Sequence, residues 1–339
     1  MKVAHIDAFK YTNWQPVLQQ NSITNILPNL NRTKTRIQRE LGSGEGRSIA
    51  LVGYGPSLPA ALQHLNEYDD IVTCSGAHNV LVEHGICPTY HVEIDPRPHK
   101  AKFTSNPQGD TTYLFASHMP TDQVDTLIND GYDVALFNQW IPEDEFVYPS
   151  NEMVMKPLGF VGNTLAPLMY SFGYRKMGIF GMDCSYHGEQ SHSGEHGGYR
   201  DEPIRVAFAE LDQEKHPIEP LRVYQSEYLW IVSALEWRLW ISQHPDIDWG
   251  IFCAGVLPEV LLHKCILPHG DHKIDPKMYT EKDWGSKESP PQRIVRKRNG
   301  KELQTGISEV SGHGNSEEAP SGEKQGPETT DESRESPQA

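Results

Sequence analysis

The chain has 339 residues, a formal net charge of −16 and a hydrophobic share of 37%. That length admits one large α/β domain or two smaller ones, and the low apolar share implies that part of it is unfolded. The acidic balance argues against general binding to nucleic acid or to an anionic membrane surface, and leaves room for a local basic pocket.

Residues 1–46 are polar, with helical character around Ile23 to Leu41, and read as an N-terminal helical cap that ends in the linker-like turn Gly42-Ser43-Gly44-Glu45-Gly46. Met1 to Pro16 has no apolar core of signal-peptide type. No apolar run reaches the roughly eighteen residues of a membrane span, so none is expected. Residues 47–285 form the main domain. Its first strand, Ile49 to Val52, is apolar without alternation, as in a strand buried on both faces of a parallel sheet. Gly53-Tyr54-Gly55-Pro56-Ser57 follows. The glycines permit unusual backbone angles, and Pro56 suits the first turn of a helix. A strand, a glycine turn and a helix start make an anion site. A phosphate cradle on Gly53, Gly55, Pro56 and Ser57 and a tight turn with no ligand stand level at this point. The segment is neither G-x-G-x-x-G nor a P-loop.

Further along, a helix is expected over Leu58–Asn66, a strand over Ile71–Cys74 ending at Ser75, and a helix over Ala77–His84. Strands follow at Tyr90–Ile94, ending at Asp95, and at Thr112–Ala116, ending at Ser117-His118. Then come a helix over Val124–Asn129, a strand over Asp133–Phe137 and a helix over Gly162–Phe172. A strand over Met177–Phe180 ends at Gly181-Met182-Asp183. A long helix over Gln225–His244 carries Trp230, Trp237 and Trp240, a core stripe, and a last strand spans Trp249–Cys253. This alternation predicts an α/β fold, a Rossmann-like doubly wound and mostly parallel sheet, which binds ligands beyond the carboxyl ends of its strands. Asp95 suits a Mg²⁺ ligand, a ribose contact or a turn cap. Asp183 suits a second Mg²⁺ ligand, an acceptor contact or a turn carboxylate, and two carboxylates at neighbouring strand ends would serve metal-assisted phosphoryl transfer. Ser75, Asn79 and Asn163 suit base or sugar contacts, or helix caps. His187, His192 and His196 lie among glycines. A mobile loop closing over a ligand accounts for them better than zinc, because no cysteine or carboxylate completes a known spacing. The five cysteines are scattered and odd in number, which fits the reduced thiols of a cytoplasmic protein better than a disulfide framework. Residues 286–339 have the composition of a disordered polar tail, and Arg293, Arg296, Lys297 and Arg298 read as a solvated charge run.

Five pieces in order carry a family resemblance: Asn21 to Ile26, Ala50 to Leu58, Gly85 to Asp95, Gly162-Asn163-Thr164, and Gly178 to Asp183 with Ser191-His192 downstream. Together they resemble the MptE-like family, named for a 6-hydroxymethyl-7,8-dihydropterin diphosphokinase, over roughly residues 20 to 260. More distantly, the chain is similar to the central domain of motility-associated glycosyltransferases that handle nonulosonic acids. The resemblance implies a transferase using Mg²⁺ and ATP, with a pterin-like hydroxymethyl acceptor. Gly53, Gly55, Pro56, Ser57, Ser75, Asn79, Gly162 and Asn163 would then hold nucleotide or phosphate, Asp95 and Asp183 the metal, and His192 would act as base or phosphate contact. A glycosyltransferase using a CMP-nonulosonic-acid-like sugar, with His192 as base, is the alternative, and a non-catalytic nucleotide-binding module is the second. The expected partners are a nucleotide and a small-molecule acceptor, without membrane or nucleic acid, and with self-association left open. Gly-Tyr-Gly stands where the family more often has Gly-Ala-Gly, a small departure. Gly194 to Asp201 matches no family segment, which leaves the substrate open.

Overall fold

The computed structural model describes residues 16–32, 35–37, 42–139, 151–155, 160–193, 203–211, 217–262, 293–296 and 303–306. All of them lie in the unit Met1–Ile307, and a second unit, Ser308–Ala339, falls outside them. In chain order the elements are α1 (Pro16–Arg32), β1 (Ser48–Val52), α2 (Leu58–Ala61), β2 (Asp70–Cys74), α3 (Ala77–Glu83), β3 (Tyr90–Glu93), β4 (Thr112–Ala116), α4 (Thr121–Asn129), β5 (Val134–Gln139), β6 (Val154–Met155), α5 (Val161–Ser171), β7 (Lys176–Phe180), β8 (Ile204–Leu211), β9 (Pro217–Ser226), α6 (Tyr228–Gln243), β10 (Asp248–Phe252), α7 (Val256–Leu262), β11 (Arg293–Arg296) and β12 (Leu303–Gly306).

The expected doubly wound sheet is present. Its parallel strands run in the order β10-β7-β1-β2-β3-β4-β5-β6. The chain builds outward from β1 to β6, then returns to place β7 on the other side of β1. The direction of winding therefore reverses between β1 and β7. Every residue of β1 is buried. Ile49 and Leu51 join one core with Val72, Val92 and Leu165, while Ala50 and Val52 join a second with Leu58, Leu65 and Leu81. Helices cover both faces, which is why the strand shows no alternation.

Several boundaries differ from expectation. The helix foreseen over Leu58–Asn66 is the four-residue α2 followed by a 3₁₀ stretch, Leu62–Glu67. That tightening brings Tyr68 to the sheet, edge-on to Phe180 and Phe252. The N-terminal helix lies earlier than foreseen, at Pro16–Arg32. Its Asn29 side chain donates to Ser117 O at 2.9 Å and Met119 O at 2.7 Å. The long helix begins at Tyr228, because Gln225 and Ser226 finish β9 in antiparallel register with Arg205 and Ile204. That hairpin, β6 and α7 were not foreseen. Part of the segment that reads as a polar tail forms strands: β11 pairs antiparallel with β10 and with β12. Ile294 and Val295 supply the β-branched pair that favours this. No described helix is long and apolar enough to cross a membrane. The described cysteines, Cys74, Cys87, Cys184 and Cys253, are unbridged.

Candidate active site

The glycine turn extends the ladder between β1 and β7. Gly53 N donates to Phe180 O at 2.8 Å and Gly55 N to Gly181 O at 2.7 Å. A Cβ on Gly53 would lie 2.5 Å from Met182 Sδ, and one on Gly55 2.6 Å from Gly181 O. The protein's own packing thus demands both glycines. Gly55→Ala is expected to cost about 1–3 kcal/mol of stability, because the obstructing atom is backbone; thermal melting would register the loss.

The anion position at this turn is filled from within. Ser57 N donates to Asp183 Oδ2 at 2.7 Å, and the Ser57 hydroxyl donates to Asp183 Oδ1. Ala254 N donates to Oδ1 from the far side at 3.3 Å. Asp183 is buried, at 2% exposure. Burial pushes its carboxyl up, and His187 and Ser57 act against that rise. The cradle foreseen for a ligand's phosphate therefore holds a side-chain carboxylate. The helix behind it, α2, has only four residues, too few for a strong dipole.

Asp95 and Asp183 are not neighbours, contrary to the expectation of a shared metal. They follow β3 and β7, with β1 and β2 between. Three inter-strand steps separate those axes by about 14 Å. Asp95 is engaged locally: Oδ1 accepts from Arg97 N at 3.0 Å and Arg97 Nε at 2.8 Å, and Lys100 Nζ stands 3.8 Å from Oδ2. Burial pushes the Asp95 carboxyl up, but Arg97 and Lys100 outweigh it and hold it below the usual range. The pair does not fit a single Mg²⁺. Among the described residues no group of three or more His, Cys, Asp or Glu side chains could hold a metal ion. His196 lies outside the described residues.

The carboxyl ends of β2, β3 and β4 gather a different set. Ser75 sits in the left-handed region, φ 49°, and its polar groups act to hold the Glu93 carboxyl down against the larger effect of burial. Glu93 is 1% exposed, and its Oε1 has no partner. His91 Nε2, also without a partner, lies 3.9 Å away. Burial pushes the Glu93 carboxyl up to about 7. Beyond it, Ser117 Oγ and His118 Nδ1 are buried without partners. Glu93 escaped the sequence reading. Its signal is a carboxylate inside the apolar strand Tyr90–Ile94.

Two foreseen contacts are used elsewhere. Asn163 Nδ2 donates to Glu236 Oε2 at 2.6 Å and to Ser233 O at 3.3 Å, and its Oδ1 accepts from the Ser233 hydroxyl at 2.6 Å. It ties α5 to α6, and both of its donor hydrogens are spent there. Gly162 makes room for Met182, whose Sδ would be 2.8 Å from an added Cβ. Asn79 Nδ2 donates to Lys102 O at 3.1 Å and anchors that segment.

His192 does reach the turn. Its ring lies 5.1 Å from that of Tyr54, and Ser193 N donates to Tyr54 O at 2.9 Å. Tyr54 also meets Phe103 edge-on at 6.1 Å and covers Gly76, where a Cβ would come within 2.3 Å of the ring. The tyrosine of Gly-Tyr-Gly is thus a junction between His192, the turn after β2 and the segment after β3. Such residues lie beyond the carboxyl ends of the strands, beside the reversal between β1 and β7, which is where doubly wound sheets in general bind ligands.

A family model described as "6-hydroxymethylpterin diphosphokinase MptE-like" matches residues 20–189. Among solved structures, a MAf glycosyltransferase from Magnetospirillum magneticum AMB-1 matches with a TM-score of 0.50 and 16% identity, over 70% of this chain and 37% of that one. This chain therefore corresponds to little more than a third of that protein, and the likeness is one of fold. A mammalian sialyltransferase aligns at a TM-score of 0.28 and 11% identity, over 57% of this chain and 80% of that one. A search of curated proteins finds no match.

Proposed function

The chain belongs to the MptE-like family, and from that premise we propose that it is a nucleotide-dependent transferase. The observation that carries the proposal is the row of buried polar atoms without partners, Glu93 Oε1, Ser117 Oγ and His118 Nδ1, at adjacent strand ends of the parallel sheet. Buried groups of this kind are costly unless a ligand or an ordered water completes their hydrogen bonds. The diphosphokinase of the family's description and the glycosyltransferase that shares the fold both move a group from one molecule to another, which is consistent with this reading.

Of the two group transfers, glycosyl transfer from a nucleotide-activated sugar of the CMP-nonulosonic-acid type suits the geometry better. It requires a base near the donor and no paired carboxylates. His192 beside Tyr54 supplies the base. In the tautomer whose Nδ1–H donates to Ser191 Oγ, 2.8 Å away, the lone pair lies on Nε2. That nitrogen takes the proton of an acceptor hydroxyl. The hydroxyl oxygen bonds to the anomeric carbon, and the bond from that carbon to the nucleotide's phosphate oxygen breaks, its electron pair leaving with the nucleotide. Diphosphoryl transfer from ATP to a pterin-like hydroxymethyl group is the second reading, favoured by the family's description. It calls for Mg²⁺, and Asp95 would have to leave Arg97 to serve it.

A melting-temperature screen separates them. CMP and a CMP-sugar, each at about a hundred times its dissociation constant, are expected to raise the midpoint by about 5 °C or more without added metal. A shift seen only with ATP and Mg²⁺, and lost in Asp95→Ala, would establish diphosphoryl transfer instead.

A further inference from the structure

Directly after β3 the chain places Arg97, His99, Lys100 and Lys102 together, although its net charge is −16. Asp95 is the carboxylate of this segment, and Arg97 engages it through two nitrogens. Pro98–Thr104 forms a 3₁₀ stretch. It is pinned by buried Phe103 against Tyr54 and by Asn79 on the Lys102 carbonyl. Lys100 Nζ and Lys102 Nζ lie 4.9 and 5.2 Å from the centroid of the Phe103 ring. The backbone of the strap is thus fixed, while Arg97, His99 and Lys102 are exposed. Their charges reinforce one another: His99 is held below its usual range, first by partial burial and then by Arg97, Lys100 and Lys102 around it. On the other side of Tyr54, the N–H of Ser57 is already committed to Asp183.

We infer that the phosphate groups of the donor bind on the strap from Arg97 to Lys102, with Lys100 and Lys102 as the charge contacts, and not on the glycine turn. The identity of the ligand as a nucleotide rests on the function proposed above. The anion site rests on the strap's own geometry. An ammonium on a flexible stem meets phosphate as a point charge, so binding here depends on salt.

The test uses the full chain and inorganic pyrophosphate, titrated by calorimetry at low ionic strength. Wild type is expected to bind it. The Lys100→Gln, Lys102→Gln double variant is expected to bind about tenfold more weakly or worse. Lys176→Gln, at the opposite end of the sheet where β7 begins, should retain wild-type affinity. Unchanged melting of the double variant would exclude a folding defect, since Lys102 is exposed and Lys100 is not fully buried. No pyrophosphate binding by wild type, or equal affinity in the double variant, overturns the inference. If pyrophosphate binds through the strap while no nucleotide shifts the melting temperature, the strap stands and the nucleotide-donor reading falls.

Discussion

Asp183→Ala is expected to destabilise the fold by about 4 kcal/mol, or about 10 °C in melting midpoint. The carboxylate serves the Ser57 N–H, the Ser57 hydroxyl and the Ala254 N–H, in a site that is 2% exposed. Removing it leaves three donors, from the turn after β1 and the turn after β10, without their acceptor. Asp183→Asn keeps the shape but turns one acceptor into a donor, so an intermediate loss is expected. Denaturant unfolding in a chelating buffer reads this without interference from metal. Wild-type stability of Asp183→Ala under those conditions would show that the carboxylate is not a structural tie, and would restore its candidacy as a metal ligand.

Glu93→Gln is expected to stabilise the protein by about 3 kcal/mol at pH 8 and by about 1 kcal/mol or less at pH 5. The carboxyl is 1% exposed, and burial raises its pKa from the ordinary 4.5 to about 7. Below 4.5 it is neutral in both folded and unfolded chains, and burial carries no charge penalty. As pH rises from there through about 7 the unfolded chain loses its proton first, so stability falls. Above that range the full difference applies, about 3 kcal/mol. Glutamine stays neutral throughout and should lack this decline. Midpoints of both proteins measured between pH 5 and pH 8 test the claim, and parallel curves would sink it. Arg97 and Lys100 hold the neighbouring Asp95 carboxyl down, and they are common to both proteins.

The elements were largely legible from local chemistry. The apolar run Ile49–Val52, the Gly-Tyr-Gly-Pro turn and the polar residues closing each strand all read correctly, because periodicity and turn preference act over a few residues. The hairpin of β8 and β9 lies outside the βαβ alternation and went unseen. So did Glu93: its one sign, a carboxylate in a short apolar strand, does not say which remote segments will bury it.

The sequence by itself determined the class of sheet and the polar residues that close its strands. Only the tertiary structure decided which partners each candidate meets. Strand order put β1 and β2 between Asp95 and Asp183, and so dissolved the metal pair. Pairing across 126 positions brought Asp183 onto Ser57, and the contact of α5 with α6 spent both donor hydrogens of Asn163. The turn that looked like a phosphate cradle holds the protein's own carboxylate, while Arg97, His99 and Lys102 on the strap after β3 are exposed. The physical reason is that hydrogen-bonding capacity is a property of a residue, whereas the partner that spends it is chosen by packing between segments remote in sequence.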